Sequence, residues 1–194
     1  KEIGENTFKG TQLREIVIPK SMTQISAEAF YDCDALSRIT VNKDNPKYES
    51  PGGCNAIIRK DSDILVLGCP NTIIPKRVKE IGCHAFYGRP VAKKTLCLPD
   101  GLTSIGEGAF SHCDNLFEII IPQSVTSIGE GAFINCPNLA VVQILGLIRE
   151  LKESVFLGCE KLALVDIPES VSIIRQRVFY NCKNLVYVNL PTSI

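Results

Sequence analysis

The chain has 194 residues, 45% of them hydrophobic and 22% charged, with 21 basic side chains balanced by 21 acidic ones. That apolar content excludes intrinsic disorder, and the even charge leaves no electrostatic footprint for a nucleic acid or an anionic membrane. Apolar runs such as Glu118 to Pro122 and Leu139 to Val142 stay far below the roughly 18 to 20 residues that span a bilayer, so no membrane insertion is expected of this segment.

From the N-terminus onward one pattern recurs, and phenylalanine is its ruler. The first copy opens at Ile3 and carries Phe8; the second opens at Ile25 and carries Phe30. Within a copy, Ala-Phe followed by Cys three residues later and Leu six later suits a short helical turn with one buried face. Alternating apolar residues before a proline, as in Ile119-x-Ile121-Pro122, suit a short half-buried strand that the proline ends.

The stretch from Ile39 to Lys76 departs from this pattern. Ala56 to Arg59 and Ile64 to Leu67 are β-rich runs joined by the polar turn Lys60-Asp61-Ser62-Asp63, so a β-hairpin standing on the coil is expected. It is read either as a spliced-in strand pair that caps a local gap or as a contact arm. Asp61 and Asp63 lack the spaced oxygen ligands of a calcium loop.

Regular copies resume at Ile81, Ile105, Ile128, Leu151 and Ile174, with Phe86, Phe110, Phe133, Phe156 and Phe179 spaced 24, 23, 23 and 23 residues apart. In the copy at Ile81, Arg89 to Lys94 replaces the expected Cys and Leu, and a bulge is expected there. Leu145-Gly146 replaces the proline and polar residue in the copy at Ile128. The Gly-x-Gly of Gly106 to Gly108 recurs at Gly129 to Gly131 without a third glycine, which indicates a tight turn and not a phosphate loop. A lone copy cannot bury its apolar face; stacked copies share one core.

The full unit, Ile-Gly-x-x-Ala-Phe-x-x-Cys-x-x-Leu-x-x-Ile-x-Ile-Pro-x-Ser-Val-Thr-x, resembles the leucine-rich repeats of BspA-like surface proteins. The variant stretch, with Asn45-Pro46-x-Tyr48-x-Ser50, Gly53-Cys54-Asn55-Ala56-Ile57-Ile58 and Leu65-Val66-Leu67-Gly68-Cys69, is similar to a hairpin-bearing repeat of that family. The resemblance implies an α/β, right-handed leucine-rich repeat solenoid, with one short strand and one short helical turn per repeat plus the hairpin insert. Residues 1–194 form a single solenoid of about eight coils on this reading, the variant repeat lying near 39–76. Because the chain starts and stops inside the pattern, it is expected to be a segment of a longer protein. An extracellular or cell-surface location is implied by the resemblance alone.

Nine cysteines accompany one methionine and no tryptophan. Cys33, Cys113, Cys136, Cys159 and Cys182 each follow the repeat phenylalanine by three residues, so stacking should place them in a column of buried thiols facing loop carbonyls. Cys-x-x-Cys occurs nowhere, so no zinc site is expected. Cys54 and Cys69 flank the hairpin and are the candidate disulfide pair. Cys83 and Cys97 have no clear partner, and Cys97 falls at an outward strand position.

No catalytic constellation emerges, and no cofactor, metal or enzyme activity is expected. His84 and His112 fall in comparable parts of different copies, where stacking should separate them as surface turn residues. His112 beside Cys113 does not make a nucleophile and base, because neighbours on a turn point apart and the cysteine column recurs without histidine.

Function is instead sought on the outward strand positions. The early coils present mixed charge there: Arg14, Glu15, Val17, then Ser37, Arg38, Thr40. Phe117, Ile120, Val141, Leu164, Val186 and Tyr187 place an apolar face on the last four coils. Such a face marks a binding surface, or it is covered by a neighbouring segment, or it satisfies strand propensity. Two functions remain open: a binding module that holds a protein or glycan of a host or of another bacterial surface, and a passive stalk that presents other domains.

Overall fold

A computed structural model of the chain describes residues 1–91, 95–192 and 194. It shows a strand-rich solenoid of about eight turns with almost no helix. Each regular coil contributes one strand of two to four residues to each of two walls. On the first wall, Thr95–Cys97, Glu118–Ile121, Val141–Ile144, Leu164–Asp166 and Tyr187–Asn189 pair in parallel and in register. Glu15–Ile18 and Arg38–Val41 pair in the same way further toward the N-terminus. The second wall is made of two-residue strands such as Glu80–Ile81, Ser104–Ile105 and Ser127–Ile128.

The third side of the coil, around each phenylalanine, was expected to be helical. One 3-10 helix forms, at Ala27–Phe30, capped by the Ser26 side chain. The equivalent stretches are strings of tight turns, and the reason is the direction of their N–H groups. Gly108, Phe110 and His112 donate to Glu130, Ala132 and Ile134 of the following coil, at 3.0, 2.8 and 2.9 Å, not along their own axis. Gly108 and His112 also take positive φ, which no helix accommodates.

The Gly-x-Gly pattern has two different causes. A Cβ on Gly129 would stand 2.3 Å from Glu107 N and 2.4 Å from the Gly106 carbonyl carbon, so the first glycine permits backbone-to-backbone approach between coils. Gly131 has φ 54°, and a Cβ there would meet only Ile134 at 3.5 Å, an ordinary contact; the second glycine supplies a left-handed turn. The Ser-Val-Thr segment is explained by hydrogen bonds to the preceding coil: Ser124 Oγ donates to Leu102 O at 2.6 Å, and Thr103 Oγ1 to Lys79 O at 2.8 Å.

Inside the coil two columns run parallel. Phe86, Phe110, Phe133, Phe156 and Phe179 stack with ring centroids 5.2 to 5.9 Å apart. Beside them Cys33, Cys113, Cys136, Cys159 and Cys182 donate their thiols to the carbonyls of Phe8, Phe86, Phe110, Phe133 and Phe156 at 3.0 to 3.2 Å. Burial pushes the thiols of Cys113 and Cys182 up to about 12 and about 11. Where the copy at Ile81 lacks its cysteine, Arg89 takes the place: its Nη2 donates to Phe30 O at 2.9 Å and its Nη1 to Ala85 O at 3.2 Å. Of the bulge expected over 89–94, residues 92–94 lie outside the described residues.

The hairpin does not stand off the coil. Ala56–Arg59 and Ile64–Gly68 pair antiparallel, and Ile64–Gly68 continues in parallel into Glu80–Ile81, so the hairpin is part of the second wall. Both of its faces are buried. Ala56, Ile58 and Leu65 pack into the large core of the later coils. Ile57, Val66 and Leu67 pack into a separate core around Phe30 and Ile39. Asn45 anchors its entry, with Nδ2 donating to Pro19 O and Met22 O while Oδ1 accepts the Lys47 and Tyr48 amides.

Candidate binding face

The outward face of the first wall is built by register. Glu118, Val141, Leu164 and Tyr187 lie side by side on adjacent strands, and so do Ile120, Gln143, Asp166 and Asn189. The intervening residues Ile119, Val142 and Val165 are buried and form the core. Val141, Leu164 and Tyr187 therefore make an unbroken exposed apolar row. Phe117 and Val186 are exposed at the two ends of the neighbouring row, which holds Ala140 and Ala163 between them; Val186 is 85% exposed. Ile120 is exposed too, but it stands two residues further along its strand, beside Cys97 and next to the polar run Gln143, Asp166 and Asn189.

Sequence alignment on the leucines missed one member of this face. Ile73 is 73% exposed and stands two residues before Pro75, as Val17 does before Pro19 and Ile120 before Pro122. The proline is the signal that could have found it. Segment 69–76 forms no strand. Apolar exposure thus changes rows along the molecule, from Val17, Ile73, Cys97 and Ile120 to Val141, Leu164 and Tyr187.

The candidate disulfide pair is unbonded: Cys54 and Cys69 are buried free thiols. Cys54 belongs to the large core and Cys69 to the small one, on opposite sides of the hairpin wall. The Cys69 thiol donates to Ser37 O and Asn55 O at 3.4 Å. Cys83 and Cys97 are exposed.

The two histidines, expected apart, do not touch each other but share a neighbour, Tyr87. They are not equivalent, since His84 precedes its phenylalanine by two residues and His112 follows its own by two. Tyr87 lies between them, with centroids 5.8 Å from His84 and 5.1 Å from His112, and Tyr31 packs 4.2 Å from Tyr87. Glu28 Oε1 is 3.4 Å from His84 Nδ1. Burial, with Glu28 adding to it, drives the Tyr31 hydroxyl above its ordinary range. The cluster presents no nucleophile, and its rings are occupied with one another. Among the described residues no group of three or more His, Cys, Asp or Glu is placed to hold a metal ion.

The family model for the BspA-type leucine-rich repeat region matches six copies, over residues 1–50 and 79–194. The chain belongs to the BspA-type leucine-rich repeat family. The unmatched stretch, 51–78, contains the hairpin. A leucine-rich repeat protein from Eubacterium ventriosum is similar at 30% identity with a TM-score of 0.87, over 99% of this chain and 52% of its own. A leucine rich cell surface protein from Faecalibacterium prausnitzii is similar at 30% identity with a TM-score of 0.65, over 97% of this chain and 50% of its own. A leucine-rich repeat protein of T. pallidum matches at 28% identity with a TM-score of 0.57, over 95% and 71%. The BspA-type chain therefore spans about half the length of the first two. Among curated proteins none matches it. Among the described residues no helix is long and apolar enough to cross a membrane.

Proposed function

We propose that this BspA-type chain is a protein-binding module of a secreted or surface-displayed protein, without catalytic activity of its own. It holds its partner, a protein of a host or of another bacterial surface, on the outward face of the first wall. The observation that carries this reading is the exposed in-register row Val141, Leu164 and Tyr187, with Phe117 and Val186 exposed in the neighbouring row. The fold does not need apolar side chains there, because the inward row already supplies the core. A repeat scaffold holds such a row rigid and limits the entropy lost on binding. Family membership and the cell-surface relative support the surface location.

The test replaces Phe117, Leu164 and Tyr187 together with serine and measures capture from a panel of purified host-matrix proteins and glycans. We expect protein capture to be lost while circular dichroism is unchanged, because exposed positions tolerate substitution within about 0.5 kcal/mol each. Unchanged capture by the triple variant sinks the proposal. If the unaltered chain captures nothing on the panel, the molecule is a stalk that presents other domains.

A further inference from the structure

Two clefts meet at Leu96 and Cys97 on the binding face. The first, about 350 Å³, is walled by Ile73, Ile74, Phe86 and Val91 and includes no charged residue among its described lining. The second, about 710 Å³, continues past Ile120 to Leu145 and has Asp100 on its border. Two polar side chains of the first cleft are hydrogen-bonded within the fold. Thr72 Oγ1 donates to Asn55 O at 2.6 Å and accepts the Cys69 amide at 2.8 Å, while Asn71 Nδ2 donates to Ser37 O at 3.4 Å. Most of the surface that its described residues leave for a ligand is apolar.

We propose that this junction is an anchor pocket that takes one uncharged aliphatic side chain from the protein held on the sheet face. The proposal rests on the binding-face reading above and names the chemistry of the partner's central contact. A side chain seated in a desolvated pocket is one of the few contacts that carry most of an interface's binding energy. Two features favour a side chain over a lipid tail. Ile73 stands largely in solvent, so only a short group is covered, and Asp100 repels the carboxylate of a fatty acid.

Cys97 is a native reporter for the pocket. It and Cys83 are exposed, whereas the other seven cysteines are buried. Cys83 lines a separate depression with Glu28, Arg59 and Glu80 and serves as the internal control. The experiment measures alkylation rates of both thiols, by peptide mass spectrometry, with N-methyl-, N-butyl- and N-dodecylmaleimide. Burying two of the butyl chain's extra methylenes, at roughly four-fold each, makes Cys97 react about fifteen-fold faster with the butyl than the methyl reagent. Cys83 stays within about two-fold, and Ile73→Ser removes most of the Cys97 advantage while leaving circular dichroism intact. Equal acceleration at both thiols overturns the proposal. So does a rate that keeps climbing by the same factor per methylene to the dodecyl reagent, which assigns the cleft to a lipid chain. The Phe117, Leu164 and Tyr187 triple variant keeps the Cys97 profile. Loss of capture in that variant with a flat alkylation profile refutes the pocket alone; a steep profile with unchanged capture refutes the sheet-face reading.

Discussion

Arg89 carries a guanidinium into the interior without a carboxylate within ion-pair distance among the described residues, and its Nε finds no hydrogen-bond partner there. Burial lowers its pKa. Its value lies in reach: a thiol at this position spans one regular coil boundary, whereas the long side chain reaches Phe30 O across the insertion. Arg89→Ala takes one donor from each of two carbonyls, which keep the amides of Cys33 and Gly68, and leaves a cavity; it should cost about 3 kcal/mol, chiefly through the cavity. Arg89→Met keeps the volume and removes a buried charge, so its loss should stay within about 1 kcal/mol. Urea unfolding midpoints check the order; an alanine variant as stable as the methionine one contradicts this account.

The coil, as an element, fixes how stability depends on pH. Folding raises the thiol pKa of Cys113 and Cys182 to about 12 and about 11, and burial moves Cys136 and Cys159 up as well. A thiol whose folded pKa is raised favours the folded state while the unfolded chain also remains protonated, below the ordinary value of 9.0. As pH rises above that value the unfolded chain sheds protons that the folded one keeps, and stability falls, by about 1.4 kcal/mol per pH unit for each fully differing thiol. Urea midpoints between pH 8 and pH 10.5 should therefore decline, and Cys136→Ala should flatten the decline at a cost in stability at pH 8. A midpoint independent of pH would count against the ladder. The repeat and the column were legible from Phe spacing because stacking converts sequence period directly into contact. The turns were misjudged because Gly108, Phe110 and His112 spend their N–H groups on the next coil, which a single unit does not reveal. The outward Ile73 was hidden by the insertion, which breaks the leucine frame, and the shared contact of His84 and His112 with Tyr87 was hidden because the two histidines hold different positions in consecutive coils.

At the scale of the whole molecule, the hairpin is a partition with a hydrophobic core on each side. Its strands were legible from their β-rich composition. Its role as a wall was not, because a hairpin buried on both faces and one standing in solvent differ in what surrounds them. Native-state hydrogen exchange in low urea should separate the amides of Ile18 and Ile39, on the smaller core, from those of Ile119 and Val142, which should open at higher free energy. One common opening energy for both sets would show that the partition does not divide the cooperative unit. The interrupted rhythm also limits how such a molecule changes its span. Most coil boundaries repeat the same interface every 23 residues, so whole coils can be added or removed with every bonding partner preserved. The 56 residues between Phe30 and Phe86 are not a whole number of such steps. The molecule is a measuring rod with fixed graduations, and any insertion that falls between two marks has to bring a long donor of its own to bridge the joint, as this one does with Arg89.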